Sequence, residues 1–132
     1  MDFLVDTHIL LWSLTTPNKL SGRVKRLFAD TYNDFYYSPL SIWEIAIKYQ
    51  KGTLSLEGRT PRELLDYIEL ETSYDCLDTL TGNFATCYEL PKRHNDLFDR
   101  MFVWEALRHD YALVSADSSL QMYEQDGLRL IN

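Results

Sequence analysis

Four acidic residues, Asp6, Glu44, Asp99 and Asp117, stand where carboxylates can act together. Asp6 closes a short apolar run, Phe3-Leu4-Val5, and a helical pattern starts at once with His8, Ile9, Leu10, Leu11 and Trp12. A buried strand that delivers a carboxylate at its carboxyl end is how open α/β sheets build sites. Asp117 follows the strand-like Tyr111–Val114 in the same way, through Ser115-Ala116-Asp117. Asp99 is followed three, four and seven residues later by Phe102, Val103 and Ala106, so it shares a helical face with apolar side chains. Charged groups are seldom buried without a partner or a metal. Glu44 belongs to the stripe Ser41, Glu44, Lys48 and Lys51, the polar remainder of a helix otherwise covered by Ile42, Trp43, Ile45, Ala46, Ile47 and Tyr49. A helix apolar on nearly all sides is expected to be buried, with this stripe facing a wet cleft.

Each acid also has a plainer reading. Asp6 and Asp117 can be N-caps. Glu44 can pair with Lys48 on a solvent stripe, a contact worth ~0.3–0.5 kcal/mol. Asp99 can pair with Arg93 or with a distant lysine; Asp96, just before its helix, takes the capping role and leaves Asp99 without it. Taken together, the four acids favour another account. If the strands are parallel, the strand-end acids lie on one edge. Clustered carboxylates raise one another's pKa unless a cation compensates. Oxygen ligands suit Mg²⁺ or Mn²⁺, and such an ion activates water and stabilises charge at phosphorus. No Ser-His-Asp order, Walker loop or HExxH pattern offers a rival chemistry. His8, His94 and His109 are scattered and read as surface or loop histidines.

The elements that would position these residues are legible in outline. A first helix is expected to about Ser13, and a second from the cap Ser21 to about Asp30 with Val24, Leu27 and Phe28 inward. A strand over Asp34–Tyr37 leads into Ser38-Pro39, which opens a helix to about Lys51, closed by Gly52. Thr60-Pro61 opens another to about Glu71. Asp75–Leu77 reads as a short strand, and a helix from Thr79 or Thr81 ends before Pro91. After the polar loop Lys92-Arg93-His94-Asn95 comes a strong helix, Leu97–His109, then the strand Tyr111–Val114, a short helix Asp117–Met122 and a last strand Leu128–Ile131. Strands alternating with helices predict a three-layer α/β/α sandwich with a mainly parallel sheet.

The 132 residues suit one domain, 1–132, with a core large enough to need no staples. No apolar run approaches the length of a membrane span, and no signal peptide is apparent. Cys76 and Cys87 show no zinc spacing and read as buried thiols of a reducing compartment, which points to the cytoplasm. The net charge of −7 argues against a protein that coats DNA, but a bound metal and a local basic patch can reconcile it with a nucleic-acid enzyme. It also suits a basic protein partner.

The blocks Leu4-Val5-Asp6-Thr7-His8-Ile9-Leu10-Leu11-Trp12, Ser38-Pro39-Leu40-Ser41-Ile42-Trp43-Glu44-Ile45-Ala46-Ile47-Lys48, Leu90-Pro91 with His94-Asn95-Asp96-Leu97-Phe98-Asp99-Arg100, and Leu113-Val114-Ser115-Ala116-Asp117 occur in one order across nearly the whole chain. In this set the sequence resembles the PIN-domain ribonucleases, specifically VapC-type toxins of bacterial toxin–antitoxin pairs. The resemblance implies a metal-dependent endoribonuclease, with Mg²⁺ or Mn²⁺ held by Asp6, Glu44, Asp99 and Asp117. It places Thr7 and Ser115 as hydroxyl residues near the metal. It also implies a homodimer and an antitoxin that inserts a segment near the site. Lys48, Arg93 and Arg100 are candidates for positioning RNA phosphates. Leu97 replaces a usual proline, Trp104-Glu105 replaces small or amide residues, and Ser115 replaces a commoner threonine; none removes an acid. Two other classes compete: a Mg²⁺-dependent phosphotransferase or phosphatase, of which the haloacid-dehalogenase-like type would want an Asp where His8 stands, and a non-catalytic interaction module using the aromatic surface.

Overall fold

The computed structural model describes residues 1–132. Five parallel strands, β1 (Asp2–Val5), β2 (Asp34–Tyr37), β3 (Asp75–Cys76), β4 (Ala112–Val114) and β5 (Leu130–Ile131), form one sheet in the order β3-β2-β1-β4-β5. The helices are α1 (Thr7–Thr15), α2 (Gly22–Ala29), α3 (Pro39–Gln50), α4 (Pro61–Glu71), α5 (Thr81–Thr86) and α6 (Leu97–His109), with 3-10 turns at Pro17–Lys19, Cys87–Glu89 and Ser118–Asp126. The expected α/β/α sandwich is the observed architecture.

Alternation along β1 divides the core. Phe3 and Val5 join Ile9, Leu10, Val24, Leu64 and Ile68 on one side of the sheet. Leu4 points the other way, into Leu113, Phe102, Val103, Ala106 and Tyr123. Residues of opposite parity point to opposite faces, so a strand buried on both sides is apolar throughout. Burial is complete or nearly so at Leu4, Val5, Leu113 and Val114.

Local signals set most of the helix starts. Ser21 accepts the Val24 N–H, Ser38 accepts the Leu40 N–H, and Thr60 and Glu63 form a reciprocal capping box. Boundaries shift where tertiary contacts decide. The helix after Leu80 gives way to a 3-10 turn at Cys87, and the segment after Asp117 is 3-10 rather than α. β3 has only two residues, both exposed on the sheet edge. Cys76 is therefore exposed and Cys87 half-buried, so the expectation of two buried thiols is corrected. No helix is long and apolar enough to cross a membrane.

Candidate metal centre

The connections out of β1 run to one side of the sheet, through β2 and β3, and then cross to β4 on the other. That reversal opens a crevice outside the carboxyl ends of β1 and β4. Val5 and Val114 are in register, and the Asp6 N–H donates to the Val114 carbonyl at 3.1 Å. The residues that follow the two strands therefore emerge side by side. Asp6 caps α1, its Oδ1 accepting the Ile9 N–H at 2.9 Å. Asp117 caps the last 3-10 turn, its Oδ1 accepting from the Ser119 N–H at 3.0 Å and the Ser119 hydroxyl at 2.6 Å. Both capping readings are thus correct, and each cap uses one oxygen and leaves the other. Asp99 lies in the first turn of α6, which Asp96 caps by accepting the Asp99 N–H at 3.0 Å. Asp6, Asp99 and Asp117 line one cavity of ≈ 320 Å³ together with His8, Trp12 and Ala116.

The electrostatics suit a cation. Burial pushes the Asp6 carboxyl above its ordinary range, against hydrogen bonds from Ser115 and the Ile9 N–H. Burial, with the charges of Asp96, Asp6 and Asp117, raises Asp99 to about 7. At Asp117 burial raises the pKa, but the Ser119 and His94 hydrogen bonds outweigh it and the group is lowered. No lysine or arginine pairs with Asp6, Asp99 or Asp117. Converging carboxylates without a neutralising side chain are what a divalent ion stabilises best, and an oxygen donor set favours Mg²⁺ or Mn²⁺.

Glu44 stands one residue behind this cavity. It is buried; its Oε1 accepts the Thr7 hydroxyl at 2.5 Å and its Oε2 pairs with Lys48 at 2.8 Å. Thr7 Oγ1 also lies 3.1 Å from Ser41 Oγ. The structure thus links Glu44 to the residue beside Asp6 rather than placing it among the other acids. It also corrects the picture of α3 as a buried helix with one wet stripe. Ser41 and Glu44 are inside, while Trp43 is 60% and Tyr49 41% exposed. The reason is local satisfaction: Thr7 and Lys48 supply the partners that make a buried carboxylate tolerable.

The other expected residues divide. Ser115 is buried, and its hydroxyl accepts the Asp117 N–H at 3.1 Å, holding the turn that presents Asp117. Arg93 binds Asp126 through Nε at 2.8 Å and Nη2 at 3.1 Å, so it is not the partner of Asp99. The Arg100 Nε is buried without a hydrogen-bond partner. Lys48 is committed to Glu44.

Sequence reasoning missed His94. Its Nε2 lies 3.2 Å from Asp117 Oδ2 and 3.9 Å from Asp99 Oδ2, and the three side chains form one cluster of potential ligands. The loop before α6 folds back over the first turn, and the Asp96 N–H donates to His94 Nδ1 at 3.1 Å. An imidazole that accepts at Nδ1 carries its proton on Nε2 when neutral. Metal-bound histidines show the reverse, donating from the far nitrogen. His94 therefore fits as a donor that orients Asp117. The signal available in the sequence was its place two residues before a helix cap, which brings a side chain back toward the first turn.

A parallel sheet with three carboxylates at its switch point defines an α/β protein with an acidic cluster at its carboxyl edge that could hold a metal ion. The family model of the PIN domain matches residues 3–125, and the chain belongs to that family. Solved structures of similar fold include VapBC2 from Rickettsia felis bound to a DNA fragment from their promoter, at TM-score 0.70 and 17% identity, covering 100% of this chain and 98% of that one. FitAcB from Neisseria gonorrhoeae matches at TM-score 0.63 and 17% identity, covering 98% and 96%. VapBC-1 from nontypeable Haemophilus influenzae matches at TM-score 0.64 and 19% identity, covering 100% and 98%. No curated protein matches the chain in sequence.

Proposed function

We propose that this chain is a Mg²⁺- or Mn²⁺-dependent endoribonuclease, the VapC-type toxin of a toxin–antitoxin pair acting in the cytoplasm. The observation that carries the reading is the shared cavity of Asp6, Asp99 and Asp117, with Asp6 raised by burial and Asp99 by burial and the charges of Asp96, Asp6 and Asp117. PIN proteins are in general nucleases, and the structural neighbours are VapBC and FitAB assemblies.

Asp6, Asp99 and Asp117 would hold the cation, with Glu44 supporting through Thr7 or an intervening water. When bound, the ion supplies Lewis-acid stabilisation of phosphoryl oxygens and lowers the pKa of a water for attack. The chain's own contributions follow from the hydrogen bonds. Ser115 holds the turn by accepting the Asp117 N–H, Ser119 donates to one oxygen of the Asp117 carboxylate, and His94 donates to the other. Asp96 sets the start of α6 and hence the position of Asp99. Lys48 balances Glu44, so its role toward RNA is through that pair. An antitoxin and a second copy of the chain are the protein partners of this reading. The acidic total suits a basic antitoxin.

The test is cleavage of RNA with Mn²⁺ or Mg²⁺ by the wild type and by Asp6→Asn, which keeps the cap and removes the charge. Metal-dependent cleavage lost in the variant and in EDTA is expected. Equal activity of both proteins, or activity indifferent to EDTA, would sink the proposal.

A further inference from the structure

One buried carboxylate lies outside the acid cavity. Glu105 is fully buried on α6, about 9 Å along the helix axis from Asp99, and no lysine or arginine pairs with it. Its Oε1 accepts the Ser38 hydroxyl at 2.9 Å and its Oε2 accepts the Thr79 hydroxyl at 2.6 Å. The other side chain of α6 that hydrogen-bonds to a different element is the half-buried Trp104, whose Nε1 donates to Thr86 at 3.3 Å. Ser38 is itself fully buried and caps α3, accepting the Leu40 N–H at 3.1 Å, while its carbonyl accepts the Ser41 N–H at 2.9 Å. Ser41 Oγ lies against Thr7 Oγ1, and Thr7, which follows Asp6, donates to Glu44. A line of buried polar groups thus runs from α6 through the first turn of α3 to the residue beside Asp6.

We propose that Glu105 is a positioning residue for the acid cavity: by tying α6 to the first turn of α3, it sets where Asp99 stands relative to Asp6 and Glu44. The inference rests on the metal-centre reading and adds to it the part that holds the one carboxylate of the cavity no strand delivers. Asp6 and Asp117 leave adjacent strands in register, so the backbone ladder fixes their separation. Asp99 rides on a helix whose sheet-facing side is Phe102, Val103 and Ala106. Apolar burial holds such a helix down but is non-directional, whereas a hydrogen bond is confined to a narrow range of length and angle. The bonds to Ser38 and Thr79 reach two different elements, so together they oppose both sliding and rotation of α6. A carboxylate suits this task because both of its oxygens accept. Ser38 spends its acceptor on the α3 cap and keeps its proton for Glu105. A shift of α6 is passed along the helix to Asp99, and a metal site tolerates about 0.5 Å of error in its ligands.

The measurement is Mn²⁺ binding by calorimetry at pH 8 to the full-length wild type, Glu105→Met, Glu105→Gln and Thr79→Val, each at a temperature where circular dichroism shows it folded. Met fills nearly the same volume and removes both acceptors. Glu105→Met should bind Mn²⁺ roughly 10- to 100-fold more weakly, the range seen when outer supports of metal ligands are lost. Glu105→Gln should keep most of the affinity, since its amide oxygen accepts one hydroxyl and its NH₂ donates to the other. Thr79→Val, which cuts one of the two bonds, should fall between. In the metal-free protein, hydrogen exchange at the Leu40 and Ser41 amides should quicken in Glu105→Met while the amides of β1 and β4 stay protected. A residue that only stabilises the fold would lower the Tm and leave both readouts of the folded protein unmoved. Wild-type affinity in Glu105→Met, or Glu105→Gln as weak as Glu105→Met, overturns the proposal; if Glu105→Met does not fold, wild-type affinity in Thr79→Val does the same. Mn²⁺ binding that is lost in Asp6→Asn but untouched in Glu105→Met defeats this inference alone. A wild type that binds no Mn²⁺ defeats the metal-centre reading and this inference together.

Discussion

Proton competition for the acid cavity gives the most direct quantitative test. Asp99 stands at about 7 without metal, because burial and the charges of Asp96, Asp6 and Asp117 oppose its ionisation. A divalent ion binds the carboxylate, so its apparent affinity scales with the ionised fraction. That fraction is about one-tenth at pH 6 and about nine-tenths at pH 8, which makes Mn²⁺ binding roughly tenfold tighter at the higher pH. Asp6 is raised as well and adds in the same direction. Isothermal titration of Mn²⁺ in buffers of different ionisation enthalpy should find about one proton released per ion at pH 6 and few at pH 8. Asp99→Asn should bind more weakly at pH 8 and show a flatter pH dependence. The stability of the metal-free protein follows the same groups. A folded pKa above the unfolded value means stability is fullest below the unfolded value of 3.8 and is lost as pH rises toward about 7. The Tm in EDTA should therefore fall between pH 5 and 8, and Mn²⁺ should reverse the fall. Affinity that is flat from pH 6 to 8 with no proton release would refute the electrostatic account of the cavity.

Two further substitutions probe the supports. His94→Gln keeps an N–H donor near Asp117 and should retain most Mn²⁺ affinity, whereas His94→Leu should lose about 1–3 kcal/mol of it by freeing that carboxylate; ¹⁵N shifts of the His94 ring should report the Nε2–H tautomer with and without Mn²⁺. Glu105 is fully buried, raised by desolvation, and accepts from Ser38 at 2.9 Å and Thr79 at 2.6 Å; Glu105→Ala should cost about 2–4 kcal/mol in urea unfolding, and Glu105→Gln clearly less.

Glu105 also shows how far a sequence goes. Its position among Phe102, Val103 and Ala106 marks it as inward, yet its partners come from the end of β2 and the loop before α5. Helix starts, the buried apolar run of β1 and the strand-end placement of Asp6 and Asp117 were legible because they depend on neighbours within a few residues. Caps, alternation and apolar periodicity are short-range physics. The resemblance to PIN-domain ribonucleases was legible for the same reason, since its motifs are local blocks. Three things were decided only in three dimensions. The order of strands put Val5 beside Val114 and so joined two distant carboxylates. The fold of the loop before α6 carried His94 onto Asp117. The packing of α3 against α1 turned the polar stripe of Ser41 and Glu44 inward and left Trp43 outside. In each case the deciding contact spans more than twenty residues of chain. Its strength depends on which partner arrives to satisfy a buried charge or hydroxyl, and that information lies in the tertiary structure alone.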